Sequence, residues 1–341
     1  MQSTLKPKQV VKQLTAVLPE RVRDIITSRY GLGESPEKMT LEAIGKRYGI
    51  TRERVRQIEN YALQSIRKSS AYAKAKPSFE ELRRMVDERG GIVLEEDFLS
   101  HMAKDGSTRN HVYFLLVLGE TFIKHKEDDA FHHRWHIDQG LADSVHKALK
   151  NLCGCFNGEE VMPEPEIIEN FLKEIKEVSQ KYKNNETMSR WLSLSKELGK
   201  NPLGEWGLVS SPNVRVKGIR DYAYLVIKRH GSPMHFTEVA NTITKLFGKK
   251  AHIATTHNEL IKDSRFVLVG RGLYALKEWG YTSGVVKDVI KQILKQEGSL
   301  SRDEIIDRVR KERYVKDNTI VVNLQDSRLF KRTADGLYTL A

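Results

Sequence analysis

Cysteine is nearly absent from this sequence: Cys153 and Cys155 are the two that occur among 341 residues. A disulfide framework is therefore excluded, which fits a reducing compartment. Long apolar runs are also absent, since no stretch approaches the ~20 apolar residues that a membrane helix needs. No apolar segment follows the charges of the opening stretch MQSTLKPKQV. We therefore predict no secretion signal, no membrane association and a cytoplasmic location.

Sequence motifs of common enzymes are missing as well. The chain has no P-loop, no G-x-S-x-G and no H-E-x-x-H. The histidine-rich stretch from His125 to His136 predicts a β-hairpin with an acidic tip rather than a metal site, because a strand places His132 and His133 on opposite faces. The Cys-x-Cys pair lacks the four ligands of a structural zinc site. We therefore predict no catalytic residue, no metal, no cofactor and no small-molecule ligand.

Positive charge is concentrated at the two ends of the chain, whose net charge is +12. Residues 1–76 carry 16 Lys and Arg against 7 Asp and Glu, and residues 217–341 carry 23 against 14, so each end has a net charge of +9. Residues 77–140 and 141–216 have net charges of −5 and −1. A polyanion is therefore attracted to the ends and not to the middle. Ordinary solvated lysines are the alternative explanation.

Four helices are predicted in the first basic segment. Apolar residues recur at helical spacing over residues 8–17 and 20–30, and the stretch TLEAIGKRYGITRERVRQIE (40–59) begins two more helices. Between these two, Gly49 can adopt the left-handed conformation of a tight turn, and Gly45 is small enough for the helices to cross closely. This spacing is typical of a helix-turn-helix.

The second helix of this pair, at 51–69, has two different faces on a wheel of roughly 100° per residue. Val55, Ile58, Ala62 and Ile66 share one side. The opposite side is polar near the N-terminus, the end of a recognition helix that enters the major groove. Arg, Gln and Glu can all form hydrogen bonds with base edges. A solvent-exposed face of mixed charge is the alternative. The predicted DNA-contacting residues are Thr51, Arg52, Glu53, Arg54, Arg56, Gln57 and Asn60.

The stretch LPERVRDIITSRYGLGESPEKMTLEAIGKRYGITRERVRQIENYALQSIRK resembles region 4 of housekeeping-type bacterial sigma factors, over about residues 10–69. In that family the module reads the promoter −35 element and docks on the flap of the RNA polymerase β subunit. The resemblance implies that the Arg, Glu and Gln residues of 52–57 contact DNA, with Arg54 nearer a phosphate. Nothing in the nine preceding residues resembles the sigma segments that recognise and melt the −10 element. We therefore expect that this chain is not a complete sigma factor.

Beyond this module the sequence predicts a linker and four tandem units. The clearest repeat pairs RHGSPMHFTEVANTI (229–243) with QEGSLSRDEIIDRVR (296–310), and a later D-S-R motif recurs at Asp263 and Asp326. Helices followed by an apolar–aromatic hairpin indicate winged helices. The predicted fold class is mainly α, a helix-turn-helix bundle followed by tandem winged helices with small β-hairpins. The predicted divisions are 1–69 (helix-turn-helix), 70–78 (linker), and the winged-helix units 79–138, 139–216, 217–281 and 282–341.

Residues 219–279, which include GSPMHFTEVANTI and THNELIKDSRFVLVGRGLYALKEWG, resemble the HARE-type helix-turn-helix family. The resemblance implies binding to nucleic acid or to the transcription machinery, without catalysis. A recognition helix is expected from about Thr255, with Leu260 and Ile261 buried and Arg265 toward DNA. For the acidic unit 79–138 a protein partner is favoured over DNA. The predicted secondary DNA contacts are Lys249, Lys250, His257, Asn258, Lys262 and Arg271.

These patterns together predict a non-enzymatic, sequence-specific DNA-binding transcription factor of bacterial type. It is expected to be associated with the nucleoid, to bind promoter-like double-stranded DNA and to contact the β flap of RNA polymerase. Two alternatives remain: a polymerase accessory protein similar to the δ subunit, and the targeting subunit of a nuclease or modification system.

Overall fold

The fold comes from a computed structural model that describes residues 5–175, 178–281 and 284–341. These residues are mainly helical, with short antiparallel strands, which confirms the predicted fold class. Residues 1–4 and 282–283, at the predicted starts of two domains, lie outside the described residues. The chain divides into two units. The first contains the residues up to Gly158 with Met162–Gly199, and the second contains Glu159–Val161 with Lys200–Ala341.

The first unit begins with four helices: α1 (Pro7–Thr15), α2 (Glu20–Tyr30), α3 (Leu41–Tyr48) and α4 (Arg52–Arg67). The last two form the predicted helix-turn-helix pair. Thr40 and Thr51 precede them, and each side chain accepts a 3.1 Å hydrogen bond from the backbone N–H three residues later. Each threonine thus satisfies one of the free N–H groups of the first helical turn, which is why a helix begins at each position.

The next segment of the first unit is a winged helix. Its strands are β1 (Ile92–Leu94), β2 (Ile123–His125) and β3 (Arg134–His136), in the order β1-β3-β2. Strand β3 pairs antiparallel with both neighbours, so that Trp135 lies opposite Val93 and Lys124. The hairpin predicted around residues 125–136 is therefore present. The elements are α5 (Ser70–Lys74), α6 (Lys76–Glu88), β1 (Ile92–Leu94), α7 (Glu95–Met102), α8 (Gly106–Leu118), β2 (Ile123–His125) and β3 (Arg134–His136).

The prediction of a linker at residues 70–78 is wrong, because these residues form α5 and the start of α6. Ser69 caps α5 by accepting a hydrogen bond of 3.2 Å from a backbone N–H. Pro77 lies in the first turn of α6, where a missing N–H costs no helical hydrogen bond. Ala75 and Phe79 are buried in the hydrophobic core of this unit. The small, basic stretch is therefore helical, and it joins the core through Ala75 and Phe79.

Two hydrophobic cores stabilise this part of the first unit. The smaller one, with Ile25, Ile44 and Val55 at its centre, belongs to the helix-turn-helix alone. The larger one joins α1, α2 and α4 to the winged helix, so the predicted domains 1–69 and 79–138 share a core. Its fully buried side chains include Leu14, Ile26, Ala62, Ile66, Leu82, Val86, Phe98, Val112, Phe114, Leu116 and Leu118.

The division between the two units falls within the predicted domain 139–216. It passes through the strands β4 (Val161–Met162) and β5 (Leu198–Lys200). The remaining elements of the first unit are α9 (Gln139–Gly154), α10 (Glu164–Glu174), a 3-10 turn (Gln180–Tyr182) and α11 (Asn185–Leu192).

The second unit starts with β6 (Trp206–Leu208) and contains two winged helices with separate cores. The first has a three-stranded sheet of β7 (Met234–His235), β9 (Leu273–Leu276) and β8 (Phe266–Leu268), in that order. In the second, β10 (Phe330–Arg332) pairs antiparallel with β11 (Tyr338–Leu340). The first comprises α12 (Ile219–His230), β7 (Met234–His235), α13 (Phe236–Phe247), α14 (Ile253–Lys262), β8 (Phe266–Leu268) and β9 (Leu273–Leu276). The second comprises α15 (Val286–Glu297), α16 (Arg302–Glu312), α17 (Asp317–Leu324), β10 (Phe330–Arg332) and β11 (Tyr338–Leu340).

Candidate nucleic-acid interface

The turn between α3 and α4 depends on two glycines, as the sequence predicted. Gly49 has φ of +66°, in the left-handed region that favours glycine. A Cβ on Gly45 would lie 2.6 Å from the carbonyl oxygen of Ile50, closer than real Cβ contacts. The backbone N–H of Ile50 also donates to the Gly45 carbonyl, at 3.0 Å. The close crossing at Gly45 thus sets the direction in which α4 leaves the turn.

The inner side of α4 is apolar and buried. Val55, Ala62 and Ile66 are fully buried, and Ile58 is partly buried in the small core of the helix-turn-helix. This burial confirms the apolar side predicted by the helical wheel. Because these positions recur every three or four residues, they lie on one side of the helix, and the side chains on the opposite side point to solvent.

The outer side of α4 presents the predicted DNA-contacting residues to solvent. Their role in DNA contact stays a prediction. Arg56 donates two hydrogen bonds to the Glu53 carboxylate, at 2.9 and 2.6 Å, and these lower the pKa of Glu53 below its usual value. Arg54 donates to the side-chain oxygen of Gln57 at 3.1 Å. The exposed residues are Thr51, Arg52, Glu53, Arg54, Arg56, Gln57 and Asn60.

These internal hydrogen bonds arrange hydrogen-bonding groups before any ligand arrives. Arg56 uses one edge of its guanidinium on Glu53 and keeps further N–H donors, since guanidinium has five. The pair therefore presents donors and acceptors side by side, as base edges do in the major groove. Its energetic weight in the free protein is small, because both side chains are more than half exposed.

The exposed face of α4 extends further than the sequence predicted. Tyr61, whose side chain is 57% exposed, lies one turn after Gln57, and Gln64 and Lys68 are also exposed. The sequence could have predicted these three residues, because residues three, four and seven positions apart share a helix face, and the series Gln57, Tyr61, Gln64 and Lys68 advances by such steps.

The inner edge of α4 is fixed to the end of α2. The hydroxyl of Tyr30 donates to the carboxylate of Glu59 at 2.7 Å, and the Arg29 guanidinium lies 3.4 Å from the same oxygen. Burial is the first cause that raises the pKa of Tyr30, with the Glu59 carboxylate second, so the hydroxyl keeps its proton. A protonated donor bound to an anionic acceptor makes a strong hydrogen bond, which holds α4 at this point.

The predicted secondary site lies on the first winged helix of the second unit. Lys250, Asn258, Lys262 and Arg271 are exposed there, as DNA contacts require. Lys249 is partly buried, with its ammonium 4.7 Å from the ring centre of Tyr222. Contact with DNA by these residues stays a prediction.

His257 is the least accessible member of this predicted set. Its ring stacks on Phe236 at 4.2 Å between centres and meets the ring of Tyr274 edge-on at 5.9 Å. This packing leaves the imidazole partly buried between aromatic rings. Among the predicted secondary contacts, His257 therefore fits DNA less well than Asn258 or Lys262.

Two further expectations for α14 are wrong. Ile261 is 62% exposed rather than buried, because Thr256 and Leu260 form the buried stripe of α14 and Ile261 projects away from it. Arg265 does not point to a ligand. Its guanidinium binds the carboxylates of Asp221 and Asp263 at 2.9 and 2.6 Å, and its side chain is 19% exposed.

The wing of this winged helix, formed by β8 and β9, is in contact with the second winged helix of the same unit. The backbone N–H of Tyr314 donates to the Val269 carbonyl at 2.8 Å, and Tyr314 forms a parallel bridge with Gly270. A Cβ on Gly270 would lie 3.0 Å from the Tyr314 carbonyl oxygen. Val269 and Gly270, in the turn between β8 and β9, are thus covered by protein, whereas the adjacent Arg271 stays exposed.

The histidine-rich hairpin forms a compact cluster in the first unit. The Nε2 atoms of His125 and His136 are 2.9 Å apart, and Arg134 donates to Nε2 of His146 at 2.7 Å. Burial lowers the pKa of all three imidazoles, that of His146 to about 4. No group of three His, Cys, Asp or Glu residues placed to hold a metal ion occurs within residues 5–175, 178–281 and 284–341. Both cysteines are free thiols.

In the part of the chain that the structure describes, no helix is both long and apolar enough to cross a bilayer.

Helix α4 is capped by Thr51, follows the left-handed turn at Gly49 and exposes one polar face to solvent. These features, together with the winged helices, define a DNA-binding class of protein: a helix-turn-helix joined to winged helices. Comparison with known families confirms both resemblances. Residues 16–68 match the family model of sigma-70, region 4. Residues 219–279 match the HARE-HTH family model, a helix-turn-helix domain named in part after ASXL and restriction endonuclease proteins.

Curated relatives match the N-terminal segment. The chain is 53% identical to the RNA polymerase sigma factor RpoS of Coxiella burnetii over 57 residues, which are 17% of this chain and 16% of that protein. It is 42% identical over 65 residues to the principal sigma factor HrdD of Streptomyces viridifaciens, 19% of each chain. The chain therefore spans less than a fifth of the length of these relatives. The matches support a DNA-binding, sigma-like role related to transcription.

Proposed function

We propose that this protein is a sequence-specific DNA-binding transcription factor that reads a −35-like promoter element with α4 and associates with RNA polymerase. The observation that carries the proposal is the exposed polar face of α4, set by the glycine turn and held from behind by Glu59. The similarity of residues 16–68 to sigma-70, region 4 supports it. The exposed Lys250, Lys262 and Arg271 add phosphate contacts in the second unit.

Association with polymerase rests on a different observation. The relatives that match the N-terminal segment carry the name RNA polymerase sigma factor. Co-precipitation of core polymerase with the tagged full chain, from cells treated with nuclease, tests this part of the proposal. Loss of polymerase after nuclease treatment would show that DNA alone links the two, and would contradict direct association.

The DNA-binding part is tested by selecting preferred duplexes from a random library and measuring affinity for the selected and a scrambled duplex. Arg56→Ala should cost about 1–3 kcal/mol on the selected duplex, a loss of about 5- to 150-fold, and less on the scrambled one. Its matched control is Arg84→Ala, since Arg84 is an exposed arginine of α6 that also binds a glutamate of its own helix, Glu88.

Three outcomes decide the DNA-binding part. Loss of preference in the Arg56 variant, with the Arg84 variant unchanged, supports reading by α4. Equal behaviour of both variants contradicts it. If removal of the Lys250 charge alone abolishes binding to every duplex, the second unit binds DNA without sequence readout by α4, and the proposed promoter recognition is wrong.

A further inference from the structure

Helix α8 occupies the position of the recognition helix in the first winged helix, yet it is enclosed by protein. From Ser107 to Leu118 no residue of α8 is exposed, and Gly106 at its first turn is the exposed one. In α4, by contrast, eight residues from Arg52 to Gln64 are exposed. Seven of the twelve residues from Ser107 to Leu118 are buried, and Ser107, Thr108, Arg109, Tyr113 and Val117 are partly exposed. A helix whose side chains are at most partly exposed offers a major groove far less surface to contact than α4 does.

The partner that encloses α8 includes the helix-turn-helix of the same chain. Asn110, which is 7% exposed, donates from its amide nitrogen to the carbonyls of Gly31 and Pro36, at 3.1 and 2.8 Å. Both acceptors lie in the loop that joins α2 to α3. The amide lies so close that a Cβ on Gly31 would approach its nitrogen to 2.6 Å. One buried side chain thus fixes the loop that leads into the helix-turn-helix pair.

The other end of α8 is bound to α4 itself. Arg67, in the last turn of α4, donates to the carbonyls of Leu118 and Val117 at 3.0 and 2.9 Å. These carbonyls belong to the C-terminal end of α8, where the helix dipole favours a cation. Arg67 therefore satisfies acceptors that otherwise lack partners within the helix, and it ties the two helices together.

The middle of α8 reaches α4 through one intermediate. The ring of Phe114 meets the ring of Tyr30 edge-on, with centres 4.9 Å apart. Tyr30 in turn donates to Glu59 on the inner edge of α4. Both rings are buried, so this contact is held by packing as well as by ring geometry.

The surface that the winged helix leaves free is unsuited to DNA. The tip of its wing carries the exposed acidic residues Glu127, Asp128 and Asp129, and the first two pair with Lys196 and Arg134, so the tip offers no excess positive charge to phosphate. The helix-turn-helix has few exposed apolar side chains, since Val17 and Tyr61 are the large ones found exposed within residues 5–69. Its apolar side is thus already covered by α8 and the neighbouring helices of this unit.

We propose that the first winged helix is an intrachain partner of the helix-turn-helix: α8 holds the α2–α3 loop and α4 in position for DNA, and this winged helix makes no DNA contact itself. The part that concerns DNA rests on the function proposed above. Asn110 and Arg67 are positioning residues in this arrangement, because neither is proposed to touch DNA. Asn110 of α8 binds carbonyls of the α2–α3 loop, and Arg67 of α4 binds carbonyls of α8.

The test uses the full chain with Asn110→Ala, and with Arg67→Gln as a second variant. The matched control is Asn151→Ala, since Asn151 is an exposed asparagine of α9 whose amide donates to Glu174. Amide hydrogen exchange without DNA should rise in residues 31–40 for the Asn110 variant and not for the control. Affinity for the selected duplex should fall about 3- to 10-fold, because the buried Gly31 carbonyl and the partly buried Pro36 carbonyl lose their partner.

The salt dependence of binding separates positioning from contact. The positioning variants should leave the slope of log K against log salt unchanged, whereas Arg54→Ala should reduce it by about 1. Replacing the exposed Lys104 and Lys126 of the winged helix by alanine should also leave this slope unchanged. A reduced slope in that double variant would show DNA contact by the winged helix and would overturn the proposal.

The exchange measurement distinguishes this proposal from the proposed function. Unchanged exchange in residues 31–40 of the Asn110 variant overturns the intrachain contact, whatever the DNA result. Raised exchange with unchanged DNA affinity overturns the positioning role. If the parent chain binds no duplex, the proposed function and the role of α8 in DNA binding are both wrong, while raised exchange would still establish the intrachain contact.

Discussion

Replacing Gly45 by alanine tests how the crossing of α3 and α4 sets the reading helix. In an open helix this change stabilises a protein by about 1 kcal/mol, because glycine has the poorer helix propensity. At Gly45 the new Cβ would lie 2.6 Å from the Ile50 carbonyl oxygen and 3.5 Å from the Arg52 nitrogen. The first distance is shorter than real Cβ contacts, and the atom it meets is backbone, so the turn itself must move.

The cost of this movement can be estimated from overpacking. Inserting one methyl group into a tightly packed site typically costs about 1–3 kcal/mol. After the gain in helix propensity of about 1 kcal/mol, Gly45→Ala should destabilise the first unit by up to about 2 kcal/mol. The control is Gly154→Ala in α9, where no atom lies within 4 Å of the added Cβ. That variant should be as stable as the parent or slightly more stable.

Urea unfolding followed by circular dichroism compares the two glycine variants, and duplex titration adds the functional readout. Displacement of Ile50 also displaces Thr51, which caps α4, so DNA affinity should fall in the Gly45 variant and not in the Gly154 variant. The reasoning would be refuted if both variants had the same unfolding midpoint and the same DNA affinity, since the close contact at Gly45 would then have no energetic consequence.

Two further predictions concern charge. Because the pKa of His146 is lowered from 6.5 to about 4 in the fold, the unfolded chain binds the proton more readily, and stability is lost as pH falls from about 6.5 toward 4. This group should contribute about 1–2 kcal/mol to the stability that urea unfolding shows to be lost between pH 7 and pH 4.5, less than the full shift because the ring is partly exposed. The loss should be smaller in His146→Gln, which keeps an acceptor for Arg134, and equal losses would contradict this cause. Arg265→Ala leaves Asp221 and Asp263 buried without their cation and should cost about 3–5 kcal/mol in urea unfolding. The equivalent Arg328→Ala in the second D-S-R motif, whose side chain is 83% exposed, should change little, and similar effects of both would refute the argument.

The parts of the fold that the sequence predicted well are those that local chemistry determines. Gly49 must be left-handed for the turn, and Thr40 and Thr51 cap the helices that follow them within three residues. The apolar period of Val55, Ala62 and Ile66 likewise needs no distant partner. Each of these signals and its structural consequence lie within one or two helical turns.

The expectations that failed depend on contacts between distant residues. Arg265 was expected to face DNA, but it binds Asp221, which is 44 positions away, as well as the nearby Asp263. Residues 70–78 resemble a linker in composition, and they are helical because Ala75 and Phe79 join a core formed largely by other elements. The exposure of Ile261 follows from which side of α14 meets α13 and α12, which the apolar pattern of one helix does not determine.

The same distinction separates the winged helices of this chain from one another. Their element order is similar, yet Gly106 is the exposed residue of α8, whereas α14 exposes Asn258 and Lys262 beside the apolar Ile261, and α17 exposes Val322 beside Asn318 and Thr319. A protein-covered helix holds its neighbours, a polar exposed one can bind a polyanion, and an apolar exposed one favours a protein surface. In such a tandem array, the partner of each winged helix therefore depends on which side chains of its third helix the rest of the chain leaves exposed.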